Sequence, residues 1–465
     1  MAPGEFWCSA CAAETVSATT STVASSTLGR GGPPRIGFVA SNSATIGWHA
    51  GRAARSRVHT RSCGDARGVP EGRTPAGAVP RAGSGPPLPT AARPAYGRPV
   101  APRLTRAVVQ NGPRALELRE LAVPDIDDDS ALLRVEACGI CGSDAEQYAG
   151  VLPVRFPLIP GHEPLGVIER IGDRAARRWG VDVGDRVAVE SLIPCGHCRA
   201  CTEGRYQLCR GRGGMFGHGY VPLTHPPGLW GAYADYMYLD PFSLVHPMRK
   251  DVPATLAVMF NPLGAGFRWA VEIPDTGPGD AVLVLGPGQR GLACVIAARA
   301  AGADTIIVTG LARDAKKLAL ARTLGADHTI DVEAEDVRAR VRELTGGRGA
   351  DVVVEVSANA PEPVGEALHY VAAGGRIVLA GVKGFKAVPD FVSDLVVVKE
   401  VTIRGAFGVT TRAYDAAIRL IESGRVPLAR MHTHDFPLEA AERAIRTLAG
   451  EVPGETSIHS CLLLE

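Results

Sequence analysis

The chain has 465 residues, 46% of them hydrophobic, and 50 basic side chains stand against 49 acidic ones for a net charge of +1. That length supplies material for two or three domains with buried cores, and no stretch approaches the roughly 20 apolar residues of a membrane-spanning helix. The charge is uneven: residues 1–103 hold twelve arginines, no lysine and four acids, an excess of eight positive charges that leaves the remainder at −7. A mildly acidic body argues against nucleic acid or an anionic membrane as the main partner, so a soluble, cytoplasmic protein is expected.

Residues 1–103 read as a low-complexity extension, rich in Ser, Thr and Ala and then in Gly, Pro and Arg. Such a segment has few large apolar side chains to offset its ordering entropy, and disorder is expected. The arginine content superficially resembles an organelle transit peptide, but the Pro and Gly density spoils an amphipathic helix. The preferred reading is upstream sequence translated from an over-extended start. Cys8 and Cys11 form a lone C-x2-C here, more simply incidental than metal-binding.

Folded sequence begins near Leu104, where RAVVQNGPRALELRELAVP reads as strand, turn and strand. From 104 to 263 short alternating segments such as ALLRVEACGI, GVIERIG and GDRVAVE are broken by Gly and Pro, the pattern of a β-rich domain. From 264 to 408 apolar strands AVLVLG, TIIVTG, ADVVVEV and GRIVLAG alternate with Ala/Leu-rich helices, which predicts a doubly wound parallel sheet. TRAYDAAIRLIESGR then reads as a helix, and residues 409–465 return to extended and helical pieces.

Two motifs carry chemistry on their spacing. Cys195, Cys198, Cys201 and Cys209 follow C-x2-C-x2-C-x7-C in a lobe of about 191–212 that has no hydrophobic periodicity of its own, so one tetrahedral zinc could supply its stability. Two disulfides are the alternative, disfavoured without a secretory signal. Four protein ligands leave no open position for substrate, so such an ion is structural. Strand AVLVL runs straight into Gly286-Pro287-Gly288-Gln289-Arg290-Gly291 and a helix, the context a GxGxxG dinucleotide site requires. Gly286 permits the turn, Gly288 lets backbone approach a pyrophosphate, and Gly291 allows close helix–strand packing. The second strand ends in Gly310 where a carboxylate usually grips the ribose of NAD. Arg313, Lys316 and Lys317 follow and could receive the extra phosphate of NADP, or be solvated helix cations.

With Gly139-Ile140-Cys141-Gly142-Ser143-Asp144 and Gly161-His162-Glu163, these motifs resemble, in colinear order over residues 104–465, the zinc-containing medium-chain dehydrogenase/reductase family of alcohol, sorbitol and threonine dehydrogenases. The resemblance implies a GroES-like catalytic domain from 104–263 plus 409–465, with a Rossmann domain of 264–408 inserted. It implies Cys141 and His162 as ligands of a catalytic zinc, Ser143 as the hydroxyl relaying the substrate proton, Asp144 as the acid orienting the His162 ring, and Glu163 as an acid beside the metal. Cys138 is expected to pack on the opposite face.

One position departs from the family. Where a third zinc ligand, Cys or Glu, is usual, this chain has Asn261 in Phe260-Asn261-Pro262-Leu263, and a neutral amide oxygen is the poorer ligand. The site then keeps more positive charge, or Glu163 swings in, or the catalytic metal is absent. The leading expectation is a zinc-dependent NAD(P) alcohol or polyol dehydrogenase acting on a small molecule, with a homo-oligomer, dimer or tetramer, implied by the resemblance. The alternatives are a zinc-free reductase of activated alkenes or quinones and a nucleotide-binding pseudoenzyme. Trp230 and Phe407 are candidates for lining the substrate pocket, with core packing as the other reading.

Overall fold

A computed structural model describes residues 103–464. The expectations for the N-terminal extension and for Cys8 and Cys11 lie outside these residues. The chain opens with β1 (Leu104–Gly112) and β2 (Ala115–Ala122), an antiparallel hairpin. Then come β3 (Ala131–Gly139), β4 (Pro164–Ile171), β5 (Arg186–Val189), β6 (Tyr236–Leu239) and β7 (Val245–Pro247). The alternation of buried and half-buried residues in β3 and β4 is the period-2 signature seen in the sequence.

A second set follows: β8 (Ala281–Leu285), β9 (Thr305–Gly310), β10 (His328–Asp331), β11 (Ala350–Glu355), β12 (Val371–Leu379) and β13 (Thr402–Gly405). These pair in parallel in the order β10-β9-β8-β11-β12-β13, the doubly wound order of a Rossmann sheet. Strand β8 is buried at all five positions, as a central strand covered on both faces must be. The chain ends with β14 (His432–Phe436) and β15 (His459–Leu463), which join the first body in the order β14-β15-β3-β4-β5-β7, with β6 also on β3. The GroES-like sheet is therefore made from both ends of the described chain.

The helices that lead into and out of the Rossmann sheet lie against each other. Helix Phe260–Phe267 packs on helix Gln289–Ala300 and on helix Thr411–Glu422. Two glycines make that approach possible: a Cβ on Gly266 would stand 2.3 Å from the carbonyl oxygen of Ala293, and one on Gly264 would stand 2.9 Å from the Tyr414 ring. Cys138 is fully buried in the core of the GroES-like body, and Trp230, 2% exposed, packs in the same core. Trp230 is thus a core residue and not a pocket wall, whereas Phe407 is 44% exposed. No helix of the described residues is long and apolar enough to cross a membrane.

A buried ion pair ties this junction together. His246 on β7 lies 2.9 Å from Glu190 Oε1 at the end of β5 and 2.9 Å from Asp415 Oδ1 on helix Thr411–Glu422. Burial opposes charging of the ring, but the hydrogen bond and charge of Glu190, backed by Asp415, outweigh it and raise the pKa above the ordinary 6.5. The stabilisation is complete below the unfolded-state value and is lost as pH rises through the folded one. His246→Gln should lower stability by roughly 1–3 kcal/mol at about pH 5.5 and by less at about pH 9. Calorimetric melting across that range tests this; a pH-independent difference would show that the ring is not charged in the folded protein.

Candidate active site

The residues at the end of β3 and the start of β4 meet because two glycines clear space for them. A Cβ on Gly139 would lie 2.3 Å from Glu163 Oε2, and one on Gly161, which has φ of +93°, would lie 2.4 Å from the Tyr233 ring. Glycine at both positions lets a fully buried carboxylate and the adjacent His162 sit beneath the strand ends.

After Gly139 the chain turns through Cys141 into helix Gly142–Tyr148. Asp144 organises this turn with one carboxylate. Its Oδ2 accepts the Cys141 backbone N–H at 2.7 Å, and its Oδ1 faces His162 Nδ1 at 3.2 Å. The second contact sets a carboxylate oxygen against Nδ1, and Ser143 Oγ stands 3.1 Å from Nε2 on the other side of the ring. Ligand atoms of Cys141, His162 and Glu163 all lie within 4.8 Å of one another. A thiolate, an imidazole and a carboxylate suit zinc, and the orphaned buried Oε2 of Glu163 leaves a lone pair for it.

Asn261 enters the same cluster from helix Phe260–Phe267, but its amide is already committed. Nδ2 donates to Ser191 Oγ at 3.0 Å and to the Tyr414 hydroxyl at 3.1 Å, while Oδ1 accepts from Arg290 Nη2 at 2.9 Å. Arg290 was expected among the cofactor contacts. Its backbone is indeed in the glycine turn, yet its side chain runs into the metal cluster, 2.7 Å from Glu163 Oε1 and 3.2 Å from Cys141 Sγ. Glu163, which the sequence left as an acid able to swing in, already stands with Cys141 and His162.

The electrostatics follow from this packing. Burial alone would push the Cys141 thiol up, but the Arg290 guanidinium and the His162 ring outweigh it and bring the pKa down to about 5. Burial pushes Glu163 up to about 8 even against the pull of Arg290. His162 is raised well above its ordinary value: burial opposes this, and Tyr220 and Asp144 overcome it. Tyr220, whose ring centre is 5.1 Å from that of His162, and Ser191, whose hydroxyl donates to the His162 carbonyl at 2.6 Å, were not found from the sequence. Neither sits in a local pattern that would mark it.

The four cysteines of the lobe face one another. Their sulfurs are separated by 3.5, 3.7 and 4.0 Å for the pairs Cys198–Cys201, Cys198–Cys209 and Cys195–Cys201. Thiolates about 2.3 Å from a tetrahedral zinc stand about 3.8 Å apart. All four are free thiols, which disposes of the two disulfides. Backbone N–H groups of Cys195 and Cys198 point at Cys209 Sγ and Cys195 Sγ, both at 3.3 Å, and Gly211 is required because a Cβ there would be 2.4 Å from Cys195 Sγ. A further group, His432, Asp435 and Cys461, is closed by a 2.7 Å His432–Asp435 hydrogen bond, and burial keeps the Cys461 thiol protonated.

The nucleotide turn is equally specific. Gly286 has φ of +109°, and a Cβ on Gly291 would be 1.9 Å from the Gly286 carbonyl oxygen, whereas Gly288 faces open space. Beside it the buried Nε2 of Gln289 has no partner, an orphan donor at the end of the turn. Gly310 closes β9 against Pro287, and Lys317 is held 3.0 Å from Asp314, leaving Arg313 and Lys316 exposed.

Comparison with known proteins agrees with this geometry. Residues 127–250 match the alcohol dehydrogenase GroES-like domain, and residues 291–423 match the zinc-binding dehydrogenase domain. The chain is 48% identical over 361 residues to "Probable alcohol dehydrogenase adh" of Mycobacterium tuberculosis, covering 77% of this chain and 98% of the relative. It is 35% identical to the erythritol/L-threitol dehydrogenase of Mycolicibacterium smegmatis, covering 78% and 98%. Among solved structures, a Sinorhizobium meliloti protein described as a zinc-binding dehydrogenase, bound to NADP, aligns with a TM-score of 0.69 at 26% identity over 78% of this chain and 99% of that one. The alcohol dehydrogenase of Thermus sp. ATN1 aligns at 0.68 and 29%, over 77% and 100%.

The chain belongs to the zinc-containing medium-chain dehydrogenase/reductase family. It is an oxidoreductase whose cofactors are zinc and NAD(P). The two sulfur clusters should respond differently to mutation. Cys198→Ala should remove a zinc ion and lower the melting temperature or soluble yield. Cys141→Ala should leave the fold intact and abolish turnover. Parallel melting curves, zinc counts and rates check both, and equal activity in the two variants would sink the assignment.

Proposed function

We propose that the protein moves hydride between an alcohol or polyol, or the matching carbonyl compound, and NAD(P), with Cys141, His162 and Glu163 holding a catalytic zinc. The observation that carries this reading is the meeting of those three donors, with Ser143 beside them, next to the glycine turn. The relatives named for alcohol, erythritol/threitol and sorbitol dehydrogenation support the substrate class. When bound, zinc polarises the substrate oxygen as a Lewis acid, and NAD(P) supplies the hydride acceptor or donor.

The side chains then have distinct tasks. Ser143 Oγ, half-exposed, receives the proton leaving the substrate hydroxyl and passes it outward. Asp144 holds His162 in one tautomer and holds Cys141 through its backbone, so two ligands share one orienting group. Tyr220 covers the His162 ring and, with Ser143, faces the substrate position.

The cofactor is NADP by preference. A glycine at the end of β9 offers no repulsion to a 2′-phosphate, and Arg313 and Lys316 are exposed close behind; the S. meliloti relative bound to NADP supports this. The protein works as a homo-oligomer, for which the open edge of β13 and the exposed Val382, Val397 and Val398 are the support. Its place is the cytoplasm, where free thiols such as its eight described cysteines persist.

Two measurements test the reading. Ser143→Ala should lower kcat for an alcohol substrate by about 10²–10⁴ while the dissociation constant for NADP stays unchanged; an unchanged kcat would remove Ser143 from the proton path. Arg313→Ala should weaken NADP and leave NAD unaffected in a fluorescence titration. Equal loss for both cofactors, or none, would reject the NADP assignment.

A further inference from the structure

The glycine turn carries an arginine for which the turn itself has no use. Gly286 and Gly291 meet backbone demands, but the Arg290 side chain serves the other domain. Its Nη2 contacts Glu163 Oε1, Asn261 Oδ1 and Cys141 Sγ at 2.7, 2.9 and 3.2 Å, and its Nη1 contacts the Asn261 carbonyl at 3.0 Å. The guanidinium also lies 5.7 Å from the centre of the Trp269 ring. Two of the groups it touches, the Cys141 sulfur and the Glu163 carboxylate, are ones that a metal ion would also seek.

A buried thiolate and carboxylate require a cation nearby. Zinc is one such cation and the guanidinium is another, and they address the same sulfur and the same carboxylate. Asn261 adds to the contest: a carboxylate or thiolate there would tip the site toward metal, whereas its neutral oxygen is turned to Arg290. Among the described residues the four-cysteine lobe has no comparable competitor, its sulfurs meeting one another and backbone N–H groups.

We propose that Arg290 is an internal cation that competes with the catalytic zinc for Cys141 and Glu163, making that ion weakly held and exchangeable while the four-cysteine ion is permanent. This rests on the reading of Cys141, His162 and Glu163 as zinc ligands. Arg290 is a positioning residue: with the metal away it keeps the donors gathered, and with the metal present it must give up its contacts with them.

The test is zinc content, read without turnover. Full-length wild type, Arg290→Leu and Arg290→Gln are loaded with zinc and equilibrated against graded chelator, and zinc per chain is counted by elemental mass spectrometry. The wild type should fall from two ions to one at chelator strengths that leave the variants with two, an affinity difference of roughly 10- to 100-fold. Cobalt loading should give the thiolate charge-transfer band of a second site at lower cobalt concentration in the variants. Equal affinity for the second ion in all three proteins overturns the role of Arg290 and leaves the ligand reading standing. No second ion in any of them, with the four-cysteine ion retained, overturns both. If neither variant folds, isotope exchange in the wild type decides: the two zinc ions should exchange at rates differing by about tenfold or more, and a single common rate overturns the proposal.

Discussion

A thiol and a carboxyl group buried side by side cannot both ionise in a protein interior without positive charge, and much of this structure is arranged around that requirement. Cys141 and Glu163 are 9% and 0% exposed, and positive charge meets them both from His162 beside them and from outside their own domain, on Arg290 of the nucleotide turn. The catalytic cluster and the cofactor turn are therefore one electrostatic unit. The contact also explains why a residue in a motif known for its glycines is long and charged. It joins the nucleotide turn to the GroES-like body.

Around that unit, single groups do two jobs. Asp144 meets both the Cys141 backbone and the His162 ring, and Asn261 links Arg290 to Ser191 and Tyr414. Tyr414 belongs to the helix by which the chain leaves the Rossmann sheet, and Asn261 to the helix by which it enters. The site is thus supported by both crossings between the sheets, and the close glycine contacts at Gly264 and Gly266 bring those crossings together.

Most of the architecture was legible in the sequence because its signals are local. Strands such as AVLVL and ADVVVEV are apolar throughout, and β3 and β4 alternate as half-buried strands do. Two strands of the nucleotide sheet, β10 and β13, went unread; each has four residues, one is HTID and the other TIRG, too short and too polar to stand out. The cysteine spacing gave the lobe directly, since four thiols so placed have few other arrangements. The direction of Arg290 was hidden for a different reason. A motif describes backbone, and a side chain leaving that backbone for another domain obeys the charges it meets there. Tyr220 and Ser191 were hidden likewise, each reaching His162 from a loop that only the finished fold brings near.

The sheet that presents Cys141 has a property that bears on how the molecule is made. Strand β3 is flanked by β4 on one side and by β15 on the other, and the backbone N–H of Ile140, just before Cys141, donates to the carbonyl of Ser460 at 3.0 Å. The partner of the turn that carries Cys141 thus lies some 320 residues further along the chain. Pairings so distant along the chain are slow to form, and the Rossmann sheet lies wholly between them, its own widest pairing, β8 with β11, joining residues 70 apart. Strand β6 covers Ala131–Arg134 of β3, so it is β15 that closes the stretch Ala137–Gly139 leading to the Cys141 thiol. The surroundings of Cys141 are therefore complete only when strands from both ends of the described chain have met.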